Sequence, residues 1–109
     1  MLEFTEPLSQ VVFVEDYFQL VFQEQRLSVF SRATVSKAGA ATQQGEPGFC
    51  DALVQLIGQQ ADLTSSEEPF VLTLAFESGT KVQVYADGNG PEAFSVHDEY
   101  GRFIVGRGA

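Results

Sequence analysis

Cysteine, tryptophan and long apolar runs are scarce or missing in this chain of 109 residues. Cys50 is its single cysteine, which excludes an internal disulfide. No apolar run approaches the roughly 18 residues that a membrane-spanning helix needs. No basic segment followed by an apolar stretch marks a secretory signal at Met1. These absences predict a cytoplasmic location.

Positive charge is also in short supply. The chain has six Lys and Arg residues and 15 Asp and Glu residues, which gives a formal net charge of −9. Such a chain is repelled by nucleic-acid phosphates and by anionic membranes, so neither is an expected partner. A basic protein would be attracted to it. Solubility alone is the alternative role for this charge.

Apolar residues, by contrast, are plentiful. They make up 44% of the chain and include ten phenylalanines, which excludes a disordered acidic tail. The length predicts one domain over residues 1–109, with a core that needs neither metal nor disulfide.

Two stretches alternate apolar and polar residues in the manner of β-hairpins. In residues 70–86, an alternating run ends at Ser78-Gly79, a strong turn signal, and a second run follows. Residues 18–31 repeat this pattern, with a predicted two-residue turn at Glu24-Gln25 that pairs Phe22 with Leu27. A glycine bulge at Gly79 would absorb the one extra residue of the later copy. Two half-repeats of roughly fifty residues are therefore predicted; gene duplication and independent hairpins both explain them.

One helix is predicted over residues 49–58. Its apolar stripe has helical spacing and comprises Phe49, Ala52, Leu53, Leu56 and Ile57. Gly58 is expected to end the helix, and residues 36–48 are predicted to form a loop. Further short strands are predicted at 2–4, 92–96 and 102–105, with turns at 87–91 and 97–101. The predicted fold class is α+β, a mostly antiparallel bent sheet of about six or seven strands covering one helix.

No residue set predicts catalysis, a cofactor or a metal. His97 stands beside two carboxylates in a predicted turn, where consecutive side chains diverge. The oxygen-rich stretch at 87–92 carries Pro91 where a calcium loop needs a ligand. Cys50 has no basic neighbour in sequence and is expected to be buried or half-buried. We therefore predict a protein that is not an enzyme.

Acidic pairs and outward-facing tyrosines are the candidates for partner binding. Each acidic pair precedes a predicted hairpin, where it either blocks sheet-edge pairing or forms a contact patch. Exposed aromatic residues either anchor an interface or complete the packing of a sheet. The candidate partner-binding residues are Glu15, Asp16, Tyr17, Glu67, Glu68 and Tyr85.

The pattern of hairpin, helix end and carboxyl-terminal strand resembles small, uncharacterised, β-rich bacterial proteins. Some of these resemble immunity proteins of polymorphic toxin systems. The resemblance implies a protein-binding domain, an immunity-type inhibitor of a basic toxin. The alternatives are a domain that self-associates as a homodimer through sheet edges or Tyr17 and Phe18, and a small-ligand binder on the concave sheet face. The matching positions are Leu53, Leu56, Gly58, Leu72, Leu74, Phe76, Gly79, Val82, Val84, Glu92 and Phe94.

Overall fold

The computed structural model describes residues 4–15, 17–30, 32–66, 71–85, 94–97 and 103–106, the backbone alone for His97 and for 103–106. Ten strands and one helix lie within these ranges. The strands are β1 (Gln10–Phe13), β2 (Phe18–Phe22), β3 (Gln25–Val29), β4 (Ala33–Lys37), β5 (Ala40–Gln43), β6 (Ala61–Ser66), β7 (Val71–Phe76), β8 (Lys81–Tyr85), β9 (Phe94–His97) and β10 (Phe103–Gly106), and α1 spans Phe49–Val54.

The strands form two five-stranded sheets in which every described pairing is antiparallel. Sheet A has the order β1-β2-β3-β9-β10, and sheet B has the order β5-β4-β8-β7-β6. The predicted α+β class with a mostly antiparallel architecture is confirmed. The described strands outnumber the six or seven predicted, and they divide into two sheets where one bent sheet was expected.

The two halves of the chain have the same connectivity and exchange a hairpin. Strands β1 to β3 form one three-stranded unit and β6 to β8 form the other, each followed by a hairpin. Hairpin β4–β5 pairs with β8, whereas β9–β10 pairs with β3. The registers correspond: Leu27 faces Val96 in sheet A, and Val82 faces Val35 in sheet B. The predicted half-repeats are thus equivalent in strand order, and the exchange joins them.

A single apolar core lies between the sheets, because the alternation in β2 and β7 places their large side chains on the inner faces. The rings of Phe22 and Phe76, which occupy equivalent positions in the two halves, stack with centroids 6.5 Å apart. The Phe4 ring also stacks on the Phe22 ring, with centroids 4.1 Å apart, and Phe4 belongs to no strand. Each such buried side chain contributes roughly 1.5–3 kcal/mol by leaving water.

The hairpin turns differ in detail from the predictions. The β2–β3 turn comprises Gln23 and Glu24, so Leu20 rather than Phe22 faces Leu27. This shift of two residues leaves the buried face unchanged, because side chains alternate with period two. The predicted bulge at Gly79 is confirmed: Gly79 has φ of 94°, and the Phe76 N–H donates to the Thr80 carbonyl oxygen at 2.8 Å.

Helix α1 is shorter than predicted. Beyond Val54 the chain continues in tighter turns, in which the Ile57 N–H donates to the Val54 carbonyl oxygen at 3.2 Å. Gly58 ends this segment with φ of 95°, as expected. Ile57 was wrongly placed in the apolar stripe, because it is 45% exposed. The helix packs beside β1 and β4, and Phe49 meets Phe18 edge-on with ring centroids 5.7 Å apart.

The predicted loop at 36–48 is wrong, since it contains most of the β4–β5 hairpin. Ala38 and Gly39 form its turn with φ of 51° and 84°, the left-handed pair that a tight hairpin requires. Phe4 lies outside any strand, and the rest of the predicted strand at 2–4 lies outside the described residues. The predicted turns at 87–91 and 98–101 also lie outside them, whereas His97 is the last residue of β9.

Candidate interaction surface

The β1–β2 hairpin closes between Val14 and Tyr17. The Val14 N–H donates to the Tyr17 carbonyl oxygen at 2.9 Å, and the Tyr17 N–H donates to the Val14 carbonyl oxygen at 3.3 Å. This exchange is the closing pair of a tight hairpin. Glu15 therefore lies at the exposed tip of the hairpin, while Asp16 lies outside the described residues.

Three apolar residues form a row across the outer face of sheet A beside this tip. Val14 faces Tyr17, and because Phe18 pairs with Val29, Tyr17 faces Phe30. The rings of Tyr17 and Phe30 lie 5.1 Å apart, inclined at 44°. Val14 is 43% exposed and Phe30 is 40% exposed. We call Val14, Tyr17 and Phe30 the tip row.

Sheet B has an equivalent row with a different character. Ser66 faces Val71, and Val71 faces Tyr85. The Arg32 guanidinium carbon lies over the Tyr85 ring, 5.1 Å from its centroid, and the Tyr85 N–H donates to the Arg32 carbonyl oxygen at 3.0 Å. The row in sheet B thus begins with the polar Ser66. Its aromatic residue, Tyr85, is covered by Arg32 in a favourable cation–π contact. The tip row is the more apolar of the two.

Those predicted partner-binding residues that the structure describes lie at one end of the molecule. Glu15 and Tyr17 lie at the tip row, and Tyr85 lies in the equivalent row of sheet B. Only residues 30–32 separate β3 from β4, so Phe30 and Arg32 bring the two rows to the same end. Asp16, Glu67 and Glu68 lie outside the described residues. The sequence analysis did not identify Val14, Phe30 and Arg32 as parts of this surface. Phe30 could have been identified, because it directly follows a valine predicted to be buried and so lies on the opposite face of the strand.

Two other expectations on single residues are wrong. Phe18 was a candidate for an outer aromatic contact, yet it is 1% exposed and belongs to the core. Cys50 was expected to be buried or half-buried, yet it is exposed in the first turn of α1. In the described ranges no three His, Cys, Asp or Glu side chains gather as metal ligands would. The side chain of His97 and residues 87–92 lie outside those ranges.

A polar groove of about 300 Å³ lies between the segment before β1 and the β2–β3 turn. Its buried polar residue, Gln25, accepts a hydrogen bond through Oε1 from the Thr5 N–H at 3.0 Å. Glu6 and Glu24 are exposed at its rim. This groove lies at the rim of sheet A rather than on a concave sheet face.

Comparisons with known proteins leave the family open. No family model, no curated protein and no solved structure matches the chain. The resemblance to immunity proteins therefore stays a prediction. Across the described residues, no helix has the length and apolar character needed to cross a membrane.

Proposed function

We propose that this protein is a cytoplasmic, non-enzymatic binding domain that holds a basic protein through the tip row, as an immunity-type inhibitor covers a basic toxin. The observation that carries the proposal is the ring pair of Tyr17 and Phe30, of which Phe30 is 40% exposed, close to the hairpin tip that carries the exposed Glu15. Exposed, clustered aromatic residues are the usual anchors of protein interfaces.

The basic character of the partner has two supports. The chain carries a formal net charge of −9, which attracts and steers a cationic protein. The equivalent row of sheet B also supplies a template, because Arg32 stacks on Tyr85. A partner arginine over Phe30 would reproduce that contact, which is worth about 0.5–1 kcal/mol at an exposed site.

The chain offers matched controls for this surface. Val54 and Ile57, on and just after α1, are 47% and 45% exposed, similar to the exposure of Phe30. They lie on a different element, so replacing them removes a comparable apolar area without touching the tip row. Ile57→Ser is therefore the control for Phe30→Ser.

The test is affinity capture from cell extract with three immobilised baits: wild type, Phe30→Ser and Ile57→Ser. We expect at least one basic protein to bind wild type and Ile57→Ser equally and to be lost from Phe30→Ser. The purified pair should dissociate as salt rises, since surface attraction is screened over about 10 Å at 0.1 M salt. Identical captures by all three baits, or the loss of acidic proteins alone, would refute the proposal.

A further inference from the structure

We propose that a small oxyanion, the carboxylate or phosphate group of a small molecule, binds in a pocket of about 80 Å³ between the end of β4, the β7–β8 turn and the segment that follows α1. The pocket lies at the opposite end of sheet B from Tyr85. It contains none of the tip-row residues, so the inference is independent of the proposed function. It rests on the placement of Lys37, on the hydroxyl groups of Ser78 and Thr80, and on the bonded amides around them.

Lys37 lines this pocket from the inner face of sheet B. Side chains alternate along β4, so Lys37 shares the face of the buried Val35, although Lys37 itself is exposed at the rim of the core. The antiparallel register pairs Ser36 with Lys81, which places Lys37 beside Thr80, the residue before β8. Within the described ranges no carboxylate forms an ion pair with Lys37. Its charge is therefore available to an anion.

Two hydroxyl groups line the same pocket. The Ser78 hydroxyl donates to Thr80 Oγ1 at 3.2 Å, and Thr80 is only 4% exposed. The Thr80 hydroxyl has a hydrogen of its own to donate, and none of the groups that the structure describes accepts it. A buried donor that lacks an acceptor is costly. An oxyanion beside Lys37 would accept this hydrogen and neutralise the lysine charge at the same time.

The amide groups beside the pocket are held by hydrogen bonds. The Gln59 side chain accepts from the Ser78 N–H at 3.3 Å and donates to the Gln55 carbonyl oxygen at 3.4 Å. The carbonyl oxygens of Leu53 and Leu56 likewise accept bonds from N–H groups later in this segment. The end of the helical segment therefore repels an anion less than it would with free carbonyl groups.

The dimensions of the pocket suit a small group. A volume of about 80 Å³ admits roughly five water-sized units, which matches the non-hydrogen atoms of a phosphate or of a carboxylate with its neighbouring carbon. Val35, Ala52 and Leu56 supply an apolar wall for that carbon. One ammonium and a hydroxyl donor provide charge-assisted hydrogen bonds to an oxyanion. The net charge of −9 opposes the binding of any anion, so we expect an affinity in the millimolar range.

The experiment is a titration of the full chain followed by ¹H–¹⁵N NMR spectroscopy at constant pH. Sodium acetate and sodium phosphate are the two oxyanion probes, and sodium chloride at equal ionic strength is the salt control. Acetamide, which has the shape of acetate without its charge, is the neutral control. We expect saturable shifts of the Lys37, Ser78 and Thr80 amides with an oxyanion and with neither control. The oxyanion that saturates at the lower concentration identifies the bound group.

Two lysine variants separate the pocket from the overall charge. Lys37→Met and Lys81→Met each remove one positive charge, but Lys81 is exposed on the outer face of sheet B and does not line the pocket. Lys37→Met should weaken binding at least about tenfold, because a charge-assisted hydrogen bond is lost. Lys81→Met should leave the affinity unchanged.

Thr80→Val removes the buried hydroxyl and should weaken binding about threefold or more. Lys37 is exposed, so Lys37→Met decides the matter even if Thr80→Val fails to fold. A pocket that holds water alone would give no saturable shift with either oxyanion, and this result would overturn the proposal. Equal responses to acetate and acetamide, or equal losses in the two lysine variants, would also overturn it.

Discussion

At the scale of single residues, backbone strain lies in the hairpin turns. Gln23 and Ala38 are the non-glycine residues with positive φ in the described part of the chain, at 61° and 51°. An L-residue in this left-handed region costs roughly 1–2 kcal/mol. Gln23 adopts positive φ in its turn, whereas the residue with positive φ in the equivalent turn of the later half is a glycine, Gly79.

We expect Gln23→Gly to raise the free energy of unfolding by about 0.5–1 kcal/mol, because relief of the left-handed strain exceeds glycine's extra loss of chain entropy. The Gln23 side chain is exposed, and the N–H that donates to Ser9 Oγ at 3.3 Å remains. Urea denaturation followed by tyrosine fluorescence measures the change. Glu24→Gly, in the same turn but without positive φ, is the control and should lose stability. A Gln23→Gly protein less stable than wild type would contradict this account.

At the scale of elements, the end of the helical segment depends on Gly58. Its φ is 95°, its N–H donates to the Leu8 carbonyl oxygen at 2.7 Å, and a Cβ placed on it would meet no atom within 4 Å. We therefore expect Gly58→Ala to lower the free energy of unfolding by about 1–2 kcal/mol through backbone strain alone. Gly58→Asn should lose less, since asparagine tolerates this conformation. Equal losses in chemical denaturation would point to a lost contact instead.

The same scale shows which elements a sequence can reveal. Strands β2 and β7 were predicted because large apolar residues alternate along them. Strands β4 and β5 were missed because their residues are small, and because Ala33 and Val35 join the core beside β8, far along the chain. The candidate site was also predicted only in part. Glu15 and Tyr17 could be predicted because they lie in a local turn. The contact of Tyr17 with Phe30 could not, because the predicted β2–β3 register places Tyr17 opposite Arg32.

At the scale of the whole molecule, the exchanged hairpins tie the halves together. Each sheet contains three strands from one half and two from the other, so neither half can leave without breaking both sheets. Phe22 and Phe76 join the halves again through the shared core. Unfolding should therefore be a single cooperative transition, as is usual for single domains of this size.

Hydrogen exchange of backbone amides tests this cooperativity residue by residue. Val82→Ala, which deletes two buried methyl groups in sheet B, should lower the free energy of unfolding by about 2 kcal/mol. We expect the slowest amides of β2 in sheet A to lose the same protection as those of β7 in sheet B, because the two sheets open together. The exposed Val54→Ala is the matched control and should change neither. Protection lost in β7 but retained in β2 would show that the sheets unfold separately, despite the strands they exchange.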